Sequence, residues 1–206
     1  MSNYEQAEQY YNAAEFRKYV EAESKKPGNE DKFYELINGQ IYVSSSPSTE
    51  HGFLSRFIFR IFDPYFINRN CEALNTPHDV YLFDRGVFPF IVPSKNKCVN
   101  VYIPDLMVIC DKSKIKTDGV YGAPDLVVEI VSKSSITKDY IKKLNNYMDF
   151  GVREYWIVNP MTRKIIIYAK TGKDDLTVCN YTFDDVVKSE IFDSLSVDFS
   201  QFTEPE

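Results

Sequence analysis

The chain has little of what the common metal and redox motifs need: two histidines, four cysteines and one tryptophan among 206 residues. Cys71, Cys98, Cys110 and Cys179 are scattered without a CxxC pair, and only His51 and His78 stand by to assist them. Zinc-ligand spacing is therefore absent, and reduced thiols in a cytoplasmic protein are expected. No apolar run approaches the about 20 residues that span a bilayer. The opening MSNYEQAEQYYNAAEF has neither a basic start nor an apolar stretch behind it, so no secretory leader is expected. Positive charge is also short. Lys and Arg number 24 against 30 Asp and Glu, a net charge of -6, which argues against a protein that coats nucleic acid through bulk electrostatics but not against one with a local basic face. There is no internal repeat and no low-complexity tract.

What is present suits one domain over residues 1–206, long enough to bury a real core. Residues 3–24 have a helical pattern, which KKPGNED breaks, so 1–30 is expected to be an N-terminal helical segment. FYELINGQIYV (Phe33 to Val43) has the pattern of a β-hairpin, with Asn38-Gly39 supplying the positive φ angles of a tight turn. SSSPST then forms a loop and helix cap. Phe53, Leu54, Phe57, Ile58, Ile61 and Phe62 follow at helical spacing, with Pro64 expected to end or kink that helix. Strands are expected at DVYLF (Asp79 to Phe83), VYIPDLMVIC (Val101 to Cys110), REYWIVNP and KIIIYAK (Lys164 to Lys170), and a helix over Ile136 to Phe150, capped by Ser134 or Ser135 and stopped at Gly151. RGVFPFIVPSKNKC is expected to be an exposed connection. Residues 33–170 make the core of this α/β pattern with a mixed sheet, and 171–206 add short strands and loops.

The stretch GAPDLVVEIVS poses the functional question. Leu126, Val127, Val128, Ile130 and Val131 make it a strand apolar on both faces, the mark of a strand inside a covered sheet. Glu129 sits in its middle, and desolvating a carboxylate costs several kcal/mol unless something compensates. Asp125 lies on the same strand face, about 13 Å away at about 3.3 Å per residue, too far to share an ion. Asp105 is the better partner, because VYIPDLMVIC also carries one carboxylate in an apolar run and consecutive elements are usually neighbours. Two carboxylates brought together repel, so a proton or a cation must come between them, and oxygen ligands suit magnesium or manganese. The plainer alternative is a Glu129 that points to a rim or pairs with a lysine.

The order YELINGQIYV, PSTEH, YIPDLMVI, GAPDLVVEIVS, KLNNYMDFG and VREYWIVNP resembles the Uma family of putative restriction endonucleases, within the PD-(D/E)XK nuclease superfamily, from about Phe33 to Tyr168. The resemblance implies a restriction-endonuclease-like core with a mixed β-sheet flanked by helices, a magnesium-dependent site, phosphodiester hydrolysis and DNA as the partner. By position it makes Asp105 and Glu129 metal ligands, helped by the backbone carbonyl of Ile130, and makes Glu35 a further ligand or a residue that orients one. Val131 stands where the motif has its lysine. In this family that lysine is often carried by the following helix, where Lys143 falls. Gln40 replaces a common glutamate, and Asn159 alters a turn.

Helical geometry permits this. With Leu144 at the centre of the buried stripe, Ile141, Met148, Tyr140 and Tyr147 fall within about 60° of it, Lys143 about 100° away on the flank, and Lys142 about 160° away, facing water. Lys143 either reaches the site or snorkels at the surface. His51 opens the aromatic helix and either points toward the site or, having no visible partner, is a helix-start or loop residue near Glu50, which is the reading expected. The aromatics fall at core spacing. The lysine-rich SKNK and DKSKIK are solvated loops or phosphate contacts. The expected function is a metal-dependent endonuclease. The alternatives are an inactive binding or assembly module of the same fold, or a hydrolase of a small phosphorylated substrate. Homo-oligomerisation is left open by the sequence, and no membrane partner is expected.

Overall fold

In the computed structural model, which describes residues 10–83, 98–133, 135–136, 138–172 and 175–203, helix α1 (Ala13–Ser24) begins where Asn12 caps it. The Asn12 side chain accepts the N–H groups of Ala14 and Glu15, and Glu15 accepts the Asn12 N–H at 2.9 Å, a reciprocal capping box. Residues 10–12 are therefore not helical, which shortens the expected helix, and its first residues lie outside those described. The hairpin β1 (Lys32–Ile37) and β2 (Gln40–Ser45) turns at Asn38 (φ 51°) and Gly39 (φ 78°). Both angles are left-handed, as a two-residue hairpin loop demands.

Helix α2 (Thr49–Phe66) is capped by Ser48, and Leu54, Ile58, Phe62 and Phe66 give it one buried stripe. Pro64 does not end it. Lying in the last turn, it forfeits one backbone hydrogen bond without stopping the helix short of Phe66. Then come β3 (Glu72–Asn75), β4 (Val80–Leu82), β5 (Asn100–Tyr102) and β6 (Leu106–Ile109). VYIPDLMVIC is thus not one strand. Pro104 has no N–H for a ladder, so the chain breaks at 103–105 and leaves one sheet for another. The connection 84–97 lies outside the described residues.

Short strands β7 (Ile115–Lys116) and β8 (Gly119–Tyr121) precede β9 (Leu126–Ile130), all five of whose residues are buried. The expected helix after β9 is a π-helix over Lys138–Lys143 that passes into α3 (Leu144–Phe150), with Gly151 at φ 109° closing it. The strands β10 (Glu154–Asn159), β11 (Lys164–Lys170), β12 (Leu176–Thr182), β13 (Val186–Lys188) and β14 (Ser196–Asp198) complete the chain. There are two six-stranded sheets, ordered β2-β1-β5-β4-β8-β7 and β12-β11-β10-β9-β6-β3, each mixed because β4–β8 and β9–β10 run parallel while their other neighbours are antiparallel.

Alternation along the central strands decides which helix covers which side chain. Leu106, Val108, Leu126 and Val128 pack with Leu54, Ile58 and Phe62 of α2. Met107, Ile109, Val127 and Val131 pack with Tyr147 and Met148 of α3. By parity, Asp105 and Glu129 belong to the α3 side.

The expectation of four reduced cysteines is overturned, because Cys71 and Cys110 form a disulfide. The ladder explains it: β3 pairs β6 with Glu72 opposite Ile109, so the next position outward sets Cys71 opposite Cys110. A partner 39 residues away in sequence is invisible without that register. Cys98 and Cys179 remain thiols. Among the described residues no helix is long and apolar enough to cross a membrane.

Candidate active site

The antiparallel pairing of β6 with β9 sets Leu106 opposite Val128, so Asp105, one residue before the ladder, comes opposite Glu129. Directly opposed residues on one face have Cβ atoms about 4.5–5.5 Å apart. The backbone closes the approach from the Asp105 side, where the Ile130 N–H donates to Asp105 Oδ2 at 2.7 Å. A residue's N–H and C=O share one edge of a strand, so the Ile130 carbonyl is directed to that side as well.

Lys143 brings the helix to the carboxylates. Its ammonium lies 2.8 Å from Glu129 Oε1 and 2.8 Å from Glu35 Oε1, with Asp139 Oδ1 at 3.7 Å, and its side chain is only 3% exposed. Glu35 enters from β1 of the other sheet and also accepts the Ile103 N–H at 3.3 Å, beside the break between the sheets. Tyr147, one helical turn beyond Lys143, donates its hydroxyl to Glu129 Oε1 at 2.9 Å. Val131 lies 2% exposed in the core with Tyr147, and the ammonium beside Glu129 is that of Lys143 on the helix.

Geometry on the helix departs from the expected wheel. Ile141, placed in the buried stripe by ideal α-helical rotation, is 56% exposed, while Lys143, placed on the flank, is buried. The i→i+5 bonding of the π-helix turns the chain less per residue than an α-helix does, and this shifts the buried face. Lys142 does not face open water either. It is half-buried, lines the same cleft and hydrogen-bonds to the Tyr42 hydroxyl.

His51 is more than a helix-start residue. Its Nε2 lies 3.1 Å from Asp105 Oδ2, a partner 54 residues away that the sequence did not reveal. Asp139 and Tyr147 were also missed. The Asp139–Lys143 spacing of i,i+4 on a helix was the signal for the first. Asp125 stays outside the cluster, accepting the Cys110 N–H at 2.8 Å and facing Arg153 at 3.3 Å. In the loop of DKSKIK, Lys112 pairs with Glu72 and Lys114 donates to the Ala123 carbonyl, while SKNK lies outside the described residues. Asn159 accepts the Thr162 N–H at 3.2 Å and shapes its turn.

One buried ammonium among Glu35, Glu129 and Asp139 leaves an excess of negative charge. Burial pushes the Glu129 carboxyl well above the usual carboxylate range, Asp105, Asp139 and Glu35 add to the rise, and Lys143 opposes it. Burial alone would lower Lys143, but Glu129, Glu35 and Asp139 outweigh it and hold the ammonium charged. Burial keeps the Tyr147 phenol protonated. His51 is pulled down by burial, yet the hydrogen bond and charge of Asp105 raise it above 6.5 overall. A histidine with a raised folded pKa contributes stability that is full below the unfolded value and fades as pH rises through the folded one. The melting-temperature gap between wild type and His51→Gln is therefore expected to be widest below pH 6.5 and to narrow as pH rises. A gap that stays constant across that range would remove the His51–Asp105 ion pair.

The carboxylates fit a divalent cation by their donor chemistry. The contacts of Asp105 all fall on Oδ2 and those of Glu129 on Oε1, so among the described residues Asp105 Oδ1 and Glu129 Oε2 accept no hydrogen bond. Both residues line one cleft of about 770 Å³ with Glu35, His51 and Lys143. No three His, Cys, Asp or Glu side chains among the described residues group tightly enough to hold a metal by themselves. The site suits an ion held by two carboxylates and completed by water and substrate oxygens, which is how magnesium is commonly bound beside phosphates.

The sequence matches the family model Uma2, described as "Putative restriction endonuclease", over residues 14–200. An uncharacterized protein of Synechocystis sp. is 25% identical over 153 residues, 74% of either chain. A crystal structure described as a putative nuclease belonging to DUF820, from Anabaena variabilis, superimposes with a TM-score of 0.64 at 18% identity, covering 92% of this chain and 97% of that one. At that identity the likeness establishes a shared fold.

Proposed function

We propose, from the premise that this chain belongs to the Uma2 family of putative restriction endonucleases, that it is a metal-dependent endonuclease hydrolysing DNA phosphodiester bonds through a PD-(D/E)XK-type site. One observation carries the reading: Lys143 lies 2.8 Å from Glu129, on the sheet face where register sets Glu129 opposite Asp105. The two acids and the lysine of the motif then stand together, although Val131 occupies the lysine's usual place.

Asp105, Glu129 and the Ile130 carbonyl would hold magnesium or manganese. Such an ion supplies activation of a water and stabilisation of charge on the phosphate. The Ile130 N–H and His51 fix the rotation of Asp105 by taking Oδ2, leaving Oδ1 for the ligand. Lys143 and Tyr147 do the same for Glu129 by taking Oε1. An ammonium has three donors, and two of those on Lys143 are directed at Glu35 and Glu129. Asp139 Oδ1 lies 3.7 Å away on the remaining side, so the role of Lys143 is to neutralise negative charge developing on the phosphate rather than to offer a spare donor. Glu35 supports the site by orienting Lys143.

The test is incubation of supercoiled, linear duplex and single-stranded DNA with magnesium, manganese or a chelator, with Asp105→Asn as the control for contaminating nucleases. Cleavage that needs the metal and Asp105 is expected. A protein that binds manganese and cuts none of these DNAs would instead be a binding or assembly module on a nuclease fold.

A further inference from the structure

We infer that Lys142, presented by Tyr42, is a phosphate-contacting residue that positions the DNA strand at the mouth of the cleft. The inference rests on the nuclease reading above and adds a residue that the reading does not use.

The geometry is specific. In the β1–β2 hairpin Tyr42 stands directly opposite Glu35. The two consecutive lysines at the end of the π-helix divide this cross-strand pair between them: Lys143 reaches Glu35, and Lys142 reaches Tyr42. The Lys142 ammonium lies 4.5 Å from the centre of the Tyr42 ring and donates to its hydroxyl. That hydroxyl in turn donates to Gln40 Oε1 at 3.1 Å. A lysine otherwise has much rotamer freedom to lose on binding, and this chain of contacts holds the ammonium in place beforehand.

Charge argues the same way. Glu35, Asp105, Glu129 and Asp139 line the cleft and repel a polyanion, while Lys143 is used up among them. Lys142 is half-buried on the same cleft and, among the described residues, meets no carboxylate within ion-pair distance. Among the described residues its charge is thus uncompensated, next to the acids that would hold the ion at the scissile phosphate. A phosphate of the same strand, adjacent to the scissile one, satisfies it. Gln40 matters because it orients Tyr42 without bringing a carboxylate to the ammonium.

The test is equilibrium binding of a short fluorescein-labelled duplex, and separately of its single strand, as a function of salt, with calcium in place of magnesium. Each phosphate contact contributes about 0.9 to the slope of log affinity against log salt for duplex DNA and about 0.7 for single strands. Lys142→Ala is expected to lower the slope by that single increment, on whichever form the cleft accepts, and Lys142→Arg to restore it. Lys25→Ala, removing a lysine 71% exposed at the C-cap of α1, is the charge control and should leave the slope unchanged. A wild-type protein that binds DNA with a salt-dependent affinity, and whose slope is the same in Lys142→Ala, would overturn the assignment of Lys142 alone. A wild-type protein with no salt-dependent binding to either form would overturn the nuclease reading itself.

Discussion

Replacing Lys143 with alanine is expected to destabilise the protein by about 3–5 kcal/mol, the usual cost of breaking a buried ion pair by removing one partner. The size follows from the surroundings. The side chain is 3% exposed and its ammonium sits 2.8 Å from both Glu35 and Glu129, so its loss leaves buried carboxylates facing one another without compensation. Those acids would then take up protons, and the loss should be partly recovered by adding Glu129→Gln, which removes one of the stranded charges. Urea unfolding of the two variants measures this. Cleavage measured on the folded fraction should fall by about 100-fold or more, the scale for losing one preorganised electrostatic contact. A Lys143→Ala protein as stable and as active as wild type would contradict the placement of the ammonium between the two sheets.

Glu129→Gln is expected to abolish tight binding of divalent ions while the fold survives. The amide keeps the shape of the side chain, and Lys143 retains Glu35 and Asp139 as partners. It also relieves repulsion in a cluster where burial and three neighbouring acids already push the Glu129 carboxyl up. Changing a residue that only orients a metal ligand commonly costs 10–100-fold in affinity, so removing a ligand charge should cost about 100-fold or more. Manganese titration calorimetry reads this directly, and Asp105→Asn should match it, because the two residues face one another across β6 and β9. Affinity unchanged in either variant would dissolve the two-carboxylate site.

Much of the architecture was legible from local chemistry. Asn38-Gly39 can adopt the two left-handed angles of a hairpin turn in almost any context, and it does so here. The apolar run around Glu129 had to be a covered strand, since all five residues of β9 need burial on both faces. The order of motifs pointed to the family, and the one carboxylate in each of two apolar runs pointed to Asp105 and Glu129.

What local chemistry could not reach was decided by distant neighbours. VYIPDLMVIC reads as one strand, and only the two sheets show that the chain breaks at Pro104, changes layers there and brings Glu35 and Asp105 to one cleft. Cys71 meets Cys110, and His51 meets Asp105, through pairing and packing across 39 and 54 residues. The helix after β9 followed no ideal wheel: its π-helical turn buries Lys143, exposes Ile141 and aims Lys142 at Tyr42. Periodicity and turn propensity are properties of a few adjacent residues, so the sequence by itself determined most of the elements and singled out Asp105 and Glu129, but neither the break at Pro104 nor Asp139. The register of one strand against another, and the rotation of a helix over a sheet, depend on the whole packed core, and so tertiary structure alone decided which charges meet.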